Sequence, residues 1–388
     1  MNDFTAQWNY PTTVWVGIGR AADLPKACAQ AGIRRPLLVT DSGLAEHAMV
    51  ADALERLRAG LPDTQCFSRV KSNPTGGNIE EGVAAFRSGR HDGVVALGGG
   101  SALDAGKTIA FLSGQTRPLW DFEDIGDWWT RADPDGIAPV IALPTTAGTG
   151  SEVGRAAVVT DETTHTKKII FHPKMLPTIA ILDPELTVGL PPALTAAAGI
   201  DAFSHAFEAF FARGYHPLAD AIALHGMRLV KQYLPRAFAD GADREARMQM
   251  LAAAAMGATA FQKGLGGVHG LAHAIGALHD THHGLTIGIL LPYVLAFNAP
   301  AIEEPIRLLA ATLELPATTP GALLDWLVAF RAELGIPHAL TELGVTPAEA
   351  DAVSRLAAAD PSTGGNPRPL DAAAYATIFE AACEGRLP

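Results

Sequence analysis

A short Ala/Gly-rich stretch, residues 264–283, carries five of the chain's thirteen histidines. Two of them, His269 and His273, are four residues apart, so a helix through this stretch would place both imidazoles on one face. Further upstream, Asp201 and His205 have the same spacing in the segment GIDAFSHAFE. Two such pairs of carboxylate and imidazole side chains predict a binding site for a divalent metal ion.

The types of the ligands narrow the kind of metal site. Imidazoles with one carboxylate suit Fe(II) or Zn(II), and ligand type alone does not separate these two metals. Neither segment contains cysteine, which excludes a cysteine-rich structural zinc site, and the HExxH pattern of metalloproteases is absent from the sequence. The competing interpretation is that these histidines are ordinary core or surface groups. Five clustered histidines together with a second Asp/His pair favour the metal site.

Length, charge and cysteine content exclude several classes of protein. The chain has 388 residues, of which 48% are hydrophobic, which is enough for two domains that each have a core. Its formal net charge of −12 and its lack of long Lys/Arg runs argue against nucleic acid as a partner. The three cysteines, Cys28, Cys66 and Cys383, are far apart, which predicts reduced thiols in a cytoplasmic protein.

Neither a membrane partner nor secretion is expected. The apolar run IGILLPYVLAF, which begins at Ile287, is interpreted as too short and too interrupted by proline to span a bilayer. The N-terminal segment MNDFTAQWNY lacks the basic and apolar regions of a signal peptide.

In the first half of the chain, strand signals alternate with helix signals. A hairpin is predicted at residues 4–17, a buried strand at PLLVTD, a third strand near residues 64–70, and two more strands before the loops GGGSALD and PTTAGTGSE. This alternation predicts a mostly parallel sheet that helices cover on both faces. In such a sheet, ligands bind at the loops that follow the carboxyl ends of the strands.

The loop GGGSALD has the composition of a phosphate-binding turn. Gly98, Gly99 and Gly100 would let the backbone approach a phosphate, Ser101 could donate a hydrogen bond, and the next helix would point its N-terminus at the anion. The pattern is not the GxGxxG of an ordinary Rossmann domain, and the alternative is a plain tight turn. Asp41 ends the strand PLLVTD, where its carboxylate could bind the adenosine ribose and repel a 2′-phosphate, which predicts NAD over NADP. Its alternative role is to cap the following helix.

From about residue 190 onwards, strand signals give way to Ala/Leu-rich helices. We therefore predict an α/β domain over residues 1–190 and an all-helical domain over residues 191–388. The candidate metal ligands fall in the second domain and the nucleotide loops in the first. Metal-assisted hydride transfer needs both a metal site and a nucleotide site.

Together, these segments resemble the iron-containing (group III) alcohol dehydrogenase family. The motifs that carry the resemblance follow the family's order: GGGSALD, PTTAGTGSE, DPELT, GIDAFSHAFE, GLGGVHGLAH and TGGNPRPL. The resemblance implies a dehydroquinate-synthase-like fold, in which an α/β dinucleotide-binding domain precedes an all-helical metal-binding domain. It also implies a homodimer or larger assembly, with NAD and either Fe(II) or, as a second choice, Zn(II).

Carried over by motif, the resemblance gives roles to individual residues. The metal ligands would be Asp201, His205, His269 and His283, whereas His273 would face the nicotinamide and the substrate. We hypothesise that His273 relays a proton to solvent, because an imidazole titrates near the working pH.

The remaining histidines and the cofactor contacts follow from the same motifs. His279 and His282 have no ligand role in that pattern and would be neighbours of the site or surface groups. The cofactor-binding residues would be Asp41, Asn73, Gly99, Gly100, Ser101, Asp104, Thr145, Thr146, Thr149 and either Lys167 or Lys168.

The expected reaction is hydride transfer between nicotinamide and a small primary alcohol or aldehyde. Gly154 and Lys263 depart from what many relatives carry, so substrate identity does not transfer. Lys263 could bind an anionic aldehyde such as a semialdehyde, phosphonate or sulfonate, and its alternative is a solvated surface lysine. The rival functions are a glycerol-dehydrogenase-like polyol enzyme, a dehydroquinate-synthase-like lyase and a metal-binding protein without catalysis.

Overall fold

A computed structural model describes residues 12–164 and 166–387 of the chain. The strands of this part are β1 (Thr13–Val16), β2 (Pro36–Asp41), β3 (Gln65–Val70), β4 (Gly93–Gly98), β5 (Val140–Pro144), β6 (Ala156–Asp161), β7 (Thr166–Phe171) and β8 (Ile179–Leu182). Its α-helices are α1 (Leu24–Gln30), α2 (Ala48–Gly60), α3 (Gly76–Ser88), α4 (Gly100–Leu112), α5 (Pro192–Phe211), α6 (Pro217–Ala239), α7 (Arg244–Ala260), α8 (Gly267–His279), α9 (His283–Asn298), α10 (Glu303–Thr312), α11 (Pro320–Glu333), α12 (Ala350–Ala359) and α13 (Ala372–Glu384).

Six of the described strands form one parallel sheet in the order β1-β8-β5-β4-β2-β3. The central strand β4 is buried along its whole length, as expected for a strand with helices on both faces. Parallel neighbours need crossover connections, and α3 and α4 supply them around β4. The sheet confirms the predicted α/β fold class, and the strands β2 and β3 lie where the sequence pattern predicts them.

The hairpin predicted at residues 4–17 stays a prediction, and the part of it that the structure describes makes a parallel pairing that the sequence pattern did not indicate. β1 pairs in parallel with β8, with Thr13 opposite Ile179 and Val16 opposite Leu182. Residues 4–11 of the prediction lie outside the described residues. An antiparallel pair does occur later in the chain, where β6 pairs with β7 in a separate two-stranded sheet that the sequence pattern did not indicate.

The chain divides into two compact units. The described residues of the α/β unit are 12–146, 150–164 and 166–189, and those of the helical unit are Ala147–Thr149 and 190–387. A Cβ atom added to Gly148 would lie 3.0 Å from the carbonyl oxygen of Ala198, which places this short segment against α5. A single boundary at residue 190 therefore does not describe where Ala147–Thr149 packs.

The most apolar helix of the helical unit is α9. With the turn that follows it, α9 forms a span of 19 residues, His283–Ala301, that is long and apolar enough to cross a membrane by length and composition alone. Our expectation that this run is too short is therefore wrong, because the helix continues through Pro292. The span is 67% buried inside the protein, and its apolar side chains pack in the core of the helical unit.

Candidate functional site

Helix α5 carries the first two candidate ligands. Asp201 and His205 lie one turn apart on a helix that is buried along most of its length, and each is only 4% exposed. The Nε2 atom of His205 is 3.7 Å from the Oδ1 atom of Asp201. The spacing argument from the sequence therefore places this pair correctly on one face.

Two further imidazoles approach the same carboxylate oxygen. The Nε2 atoms of His269 and His283 are each 3.7 Å from Oδ1 of Asp201. Helix α8 ends at His279, Asp280 has a left-handed φ of 52°, and α9 begins at His283, so the chain reverses between the two histidines. A separation of 3.7 Å is too long for a hydrogen bond. It matches ligand atoms around a metal with bonds of roughly 2 Å, which lie about 3–4 Å apart.

The buried atoms of this cluster fit a metal ion. Ligand atoms of Asp201, His205 and His269 all lie within 4.8 Å of one another. Oδ1 of Asp201 and Nε2 of His269 are buried and have no hydrogen-bond partner in the described part of the chain. Buried polar atoms are rarely left unpaired. A divalent cation would satisfy both atoms at once, and three imidazoles with one carboxylate are suitable donors for it.

The charges of the cluster favour the same conclusion. Burial acts to raise the pKa of Asp201, but His205, His269 and His283 together hold it well below its usual range. Burial lowers the pKa of His205 to about 4. For His269, burial acts to lower the pKa, but Glu208 and Asp201 outweigh it and raise the pKa to about 9. An ionised carboxylate surrounded by three imidazoles is a charge arrangement that a divalent cation would complete.

His273 has a different partner. Its Nδ1 atom lies 3.0 Å from Oδ2 of Asp360, and its ring stacks on that of His283 with centroids 5.5 Å apart. Spacing alone pairs His273 with His269 as ligands, but the structure directs its ring to Asp360 instead. The ligand atoms that converge on Asp201 include those of His283, as the family motif implies.

The other two clustered histidines lie at the ends of the helices. Nε2 of His279 is 2.9 Å from a carboxylate oxygen of Glu349. His282 immediately precedes α9, and burial lowers its pKa. Both are neighbours of the candidate metal ligands in the chain.

Lys263 is not placed as the sequence led us to expect. Its side chain is only 6% exposed, and Nζ donates to Oδ1 of Asp220 at 2.5 Å and to the carbonyl oxygen of Phe210 at 3.0 Å. Neither the anion-binding role nor the solvated surface alternative fits an ammonium that is buried beside the partly exposed carboxylate of Asp220. The residue instead links the end of α7 to α5 and α6.

In the α/β unit, the predicted nucleotide loops meet at the carboxyl ends of neighbouring strands. Gly98 has a φ of 151°, a conformation that side chains rarely allow, and Gly99 immediately precedes α4, which begins at Gly100. The backbone N–H of Thr145 donates to the carbonyl oxygen of Gly98 at 2.9 Å. A Cβ on Gly99 would lie 3.4 Å from Oγ1 of Thr146. The two small-residue loops thus form one surface at the N-terminus of a helix.

Two predicted cofactor residues, Ser101 and Asp41, already make side-chain hydrogen bonds within the protein. The hydroxyl of Ser101 donates to the carbonyl oxygen of Ser72, so that donor holds the loop around Asn73 and is not directed at a phosphate. Oδ1 of Asp41 accepts from the backbone N–H of Leu44 at 3.1 Å, which closes a turn ahead of α2. The N-cap of α2 is His47, so the alternative in which Asp41 caps this helix is wrong, and the carboxylate of Asp41 lies at the end of β2.

Asp104 has a structural network around it. Its two oxygens accept from the hydroxyl of Ser151 at 2.5 Å and from the N–H of Val158 at 2.8 Å. The ammonium of Lys107, which is 1% exposed, lies 3.4 Å from the same carboxylate and donates to the carbonyls of Ser151 and Ala156. This network fastens the loop after β5, and the start of β6, to α4.

The structure distinguishes Lys167 from Lys168, the two lysines of β7 that are candidates for a cofactor contact. Nζ of Lys168 lies 3.0 Å from Asp161 and 3.5 Å from Glu123, so its charge is held by two carboxylates. Lys167 is the next residue in the strand and therefore points to the opposite face of β7. Thr149, the last predicted cofactor residue, belongs to the segment that packs with the helical unit.

Two residues near the candidate metal ligands were missed by the sequence analysis. Glu208 lies seven residues after Asp201 on the same face of α5, and one of its oxygens is 2.5 Å from Nδ1 of His269. Its spacing was a usable signal. Asp360, the partner of His273, gave no local signal because it lies 87 residues further along the chain.

Comparisons with known proteins agree with this geometry. A family model described as iron-containing alcohol dehydrogenase matches residues 11–184, and one for the C-terminal part of the Fe-containing alcohol dehydrogenase family matches residues 195–383. The chain belongs to the iron-containing alcohol dehydrogenase family. This confirms the resemblance seen in the motifs and, with the sheet and helices described above, the predicted fold class.

Individual members of the family are similar over nearly the whole chain. The chain is 39% identical over 383 residues to 4-hydroxybutyrate dehydrogenase of Cupriavidus necator, covering 96% of this chain and 98% of the relative. A crystal structure of 1,3-propanediol oxidoreductase has a TM-score of 0.92 at 33% identity and covers 97% of this chain and 100% of that chain. Sulfoacetaldehyde reductase of Bifidobacterium kashiwanohense, in complex with NAD+, has a TM-score of 0.87 at 28% identity, with 97% and 99% covered. The chain is an oxidoreductase of the alcohol dehydrogenase type.

Proposed function

We propose that this iron-containing alcohol dehydrogenase homologue is a metal-dependent, NAD-linked enzyme that interconverts a small primary alcohol and its aldehyde. Asp201, His205, His269 and His283 hold the metal. The observation that carries the proposal is the approach of three imidazole Nε2 atoms to one carboxylate oxygen that has no partner among the described residues. When bound, the metal supplies a Lewis acid that favours loss of the alcohol proton and polarises the carbonyl of the aldehyde. Fe(II) is the first choice, and Zn(II) is the second.

His273 is the residue that we propose as the proton relay. Its Nδ1 atom donates to Asp360, which leaves Nε2 as the atom that accepts a proton or returns it. The His273→Ala variant should have a lower kcat and an altered pH profile. A variant with an unchanged kcat and pH profile would remove His273 from the mechanism.

The dinucleotide is proposed to lie at the glycine-rich and hydroxyl-rich loops. Asp41, Asn73, Gly99, Gly100, Ser101, Thr145, Thr146, Thr149 and Lys167 contact it, whereas Asp104 and Lys168 hold the loops and strands in place. The carboxylate of Asp41 at the end of β2 supports NAD over NADP, because it would repel a 2′-phosphate. The Asp41→Gly variant should bind NADP with an affinity closer to that for NAD. An unchanged ratio of the two dissociation constants would contradict this role.

Two substrate classes are supported by named relatives. The 39% identity to 4-hydroxybutyrate dehydrogenase supports an anionic ω-hydroxy acid and its semialdehyde. The likeness to 1,3-propanediol oxidoreductase supports a neutral diol. We place the anionic class first because its relative has the higher sequence identity.

The test is NADH oxidation by chelator-treated protein that has been reconstituted separately with Fe(II) and with Zn(II). The aldehydes should be matched in length, with 4-oxobutanoate against butanal and 3-hydroxypropanal, and dihydroxyacetone should represent the polyol alternative. Activity that returns with metal supports the dehydrogenase, and the preferred aldehyde identifies the class. Tight NAD binding without turnover on any of them would favour the dehydroquinate-synthase-like lyase. We expect a cytoplasmic protein that forms a homodimer or a larger assembly, and light scattering of the purified protein would measure the size of this assembly.

A further inference from the structure

The start of helix α8 is capped by side chains from other elements. The N–H of Gly267 donates to the side-chain oxygen of Asn366 at 3.2 Å, and the N–H of Val268 donates to Oε1 of Glu208 at 2.7 Å. The N–H of His269 lies 3.4 Å from Oε2 of Glu208 and donates to it. These are the N–H groups that a helix leaves without internal partners. A carboxylate at this end also interacts favourably with the helix dipole.

Glu208 contacts the imidazole of His269 as well as its backbone. Oε2 of Glu208 lies 2.5 Å from Nδ1, and both side chains are buried, with Glu208 5% exposed and His269 1% exposed. An ionised carboxylate can only accept hydrogen bonds, so Nδ1 must carry the proton. In the neutral imidazole, which is the form that binds a metal, the lone pair is therefore left on Nε2, the atom that faces Asp201.

The sequence around α8 makes this close approach possible. A Cβ atom on Gly266 would lie 2.9 Å from both Oε1 of Glu208 and the side-chain oxygen of Asn366. A larger residue there would push one of the two caps away. On α5, Glu208 follows Asp201 and His205 at helical spacing, so one face of that helix presents two candidate ligands and the partner of a third.

We propose that Glu208 is the positioning residue of the metal centre. It fixes the tautomer and the orientation of the His269 imidazole, and it fastens the start of α8 to α5, so that ligands from both helices are held at one separation. This inference rests on the proposed metal-dependent function. Partners of this kind orient a ligand and raise its basicity without touching the metal.

The Glu208→Gln variant tests the proposal with a side chain of the same shape. Glutamine has one oxygen, and when that oxygen accepts from Val268 its NH₂ group faces Nδ1 of His269 and favours the tautomer protonated on Nε2. We expect the Kd for Zn(II), measured by competition with a chelator, to rise by about 10–100-fold in the folded variant. This measurement needs no turnover. A Kd equal to that of the wild type would overturn the proposal.

The matched control is Asn366→Ala, which removes a cap from the same helix end without touching the imidazole. It should lower the melting temperature and leave the Kd for Zn(II) close to that of the wild type. Equal losses of zinc affinity in both variants would show that Glu208 only caps the helix, which would also overturn the proposal.

A measurement on the wild-type protein covers the case in which Glu208→Gln does not fold. Long-range ¹H–¹⁵N correlation spectra of histidine-labelled, zinc-loaded protein should show His269 protonated at Nδ1 and bound to zinc through Nε2. The signal is assigned by its loss in His269→Gln. The opposite assignment would refute the role of Glu208. A wild-type protein that binds no Zn(II) or Fe(II) would instead refute the proposed function.

Discussion

Two carboxyl groups, Asp201 in the helical unit and Glu152 in the α/β unit, are both buried, but their charges are balanced in different ways. In the described part of the chain, one oxygen of each has no hydrogen-bond partner. Burial raises the pKa of Glu152 to about 7 even though Lys107 acts to lower it, so a proton can neutralise that group. The pKa of Asp201 is instead held well below its usual range by three imidazoles, despite its burial.

The comparison shows that an unpartnered buried oxygen does not by itself identify a metal site. The charge beside Glu152 is the ammonium of Lys107, which already has Asp104 and two carbonyl oxygens as partners. Around Asp201, imidazoles present nitrogen atoms that can coordinate a metal, and the carboxylate stays ionised. The nature of the neighbouring groups decides whether a proton or a cation completes the cluster.

The largest effect should come from removing the carboxylate at the centre of the metal cluster. Asp201→Ala takes away the oxygen on which the three Nε2 atoms converge, so its loss of metal affinity should exceed the roughly 10–100-fold cost of losing an outer partner. Metal content after dialysis and NADH oxidation would both fall to background. If Asp201→Ala kept one full equivalent of metal, Asp201 would not be a metal ligand, and its contrast with Glu152 would be wrong.

The next largest effect, on stability, should come from breaking the buried ion pair between Lys107 and Asp104 in the α/β unit. Lys107→Met would leave the buried carboxylate of Asp104 without its cation, which should cost about 3–5 kcal/mol in the free energy of unfolding. Denaturant titration measures this cost, and Asp104→Asn in the same chain should restore part of it. The Kd of the folded protein for Zn(II) should not change. A parallel loss of zinc affinity would show that the two clusters are not independent.

Glu152 predicts a pH dependence of stability with a definite sign. Because its folded pKa is raised from 4.5 to about 7, the folded state holds a proton in this range that the unfolded state has released. Stability therefore falls as the pH rises through this window, and the whole penalty is present above it. Glu152→Gln should remove this slope, so its advantage over wild type should be larger at pH 8 than at pH 5 by about 1–3 kcal/mol. Parallel stability curves for the two proteins would contradict the raised pKa.

The smallest effect should come from Lys263. Lys263→Met removes the partner of Asp220 and of the Phe210 carbonyl, for a cost of about 1 kcal/mol in stability. The ratio of kcat/KM for 4-oxobutanoate over butanal should stay the same, since the ammonium is committed inside the protein. A fall in that ratio would show that Lys263 binds the anionic substrate, which would require its ion pair with Asp220 to open.

The sequence predicted those parts of the site that depend on local geometry. Asp201 and His205 lie on one helix, so their spacing was sufficient. The position of His283 depends on the left-handed conformation of Asp280 and the reversal between α8 and α9, which no local spacing encodes, and only the family motif supplied it. Spacing could not decide the role of His273, because its partner, Asp360, comes from a distant part of the chain.

The fold shows the same division between local and distant information. Alternating strand and helix patterns predicted the parallel sheet, but the pattern of β1 carries no information about its partner β8, so this pairing was not predicted. Lys263 was misjudged for a related reason, since its partner Asp220 lies 43 positions away and only the folded chain brings them together.

The packing of Ala147–Thr149 with the helical unit has a consequence for how the protein is made. When residue 189 emerges from the ribosome, the α/β sequence is complete, but Ala198, against which Gly148 packs, is still inside the exit tunnel. This segment must therefore wait for α5 before it can take its final position, and Thr149, a predicted contact of the dinucleotide, must wait with it. We expect a nascent chain or a fragment that ends at residue 189 to form its sheet without acquiring full affinity for the dinucleotide.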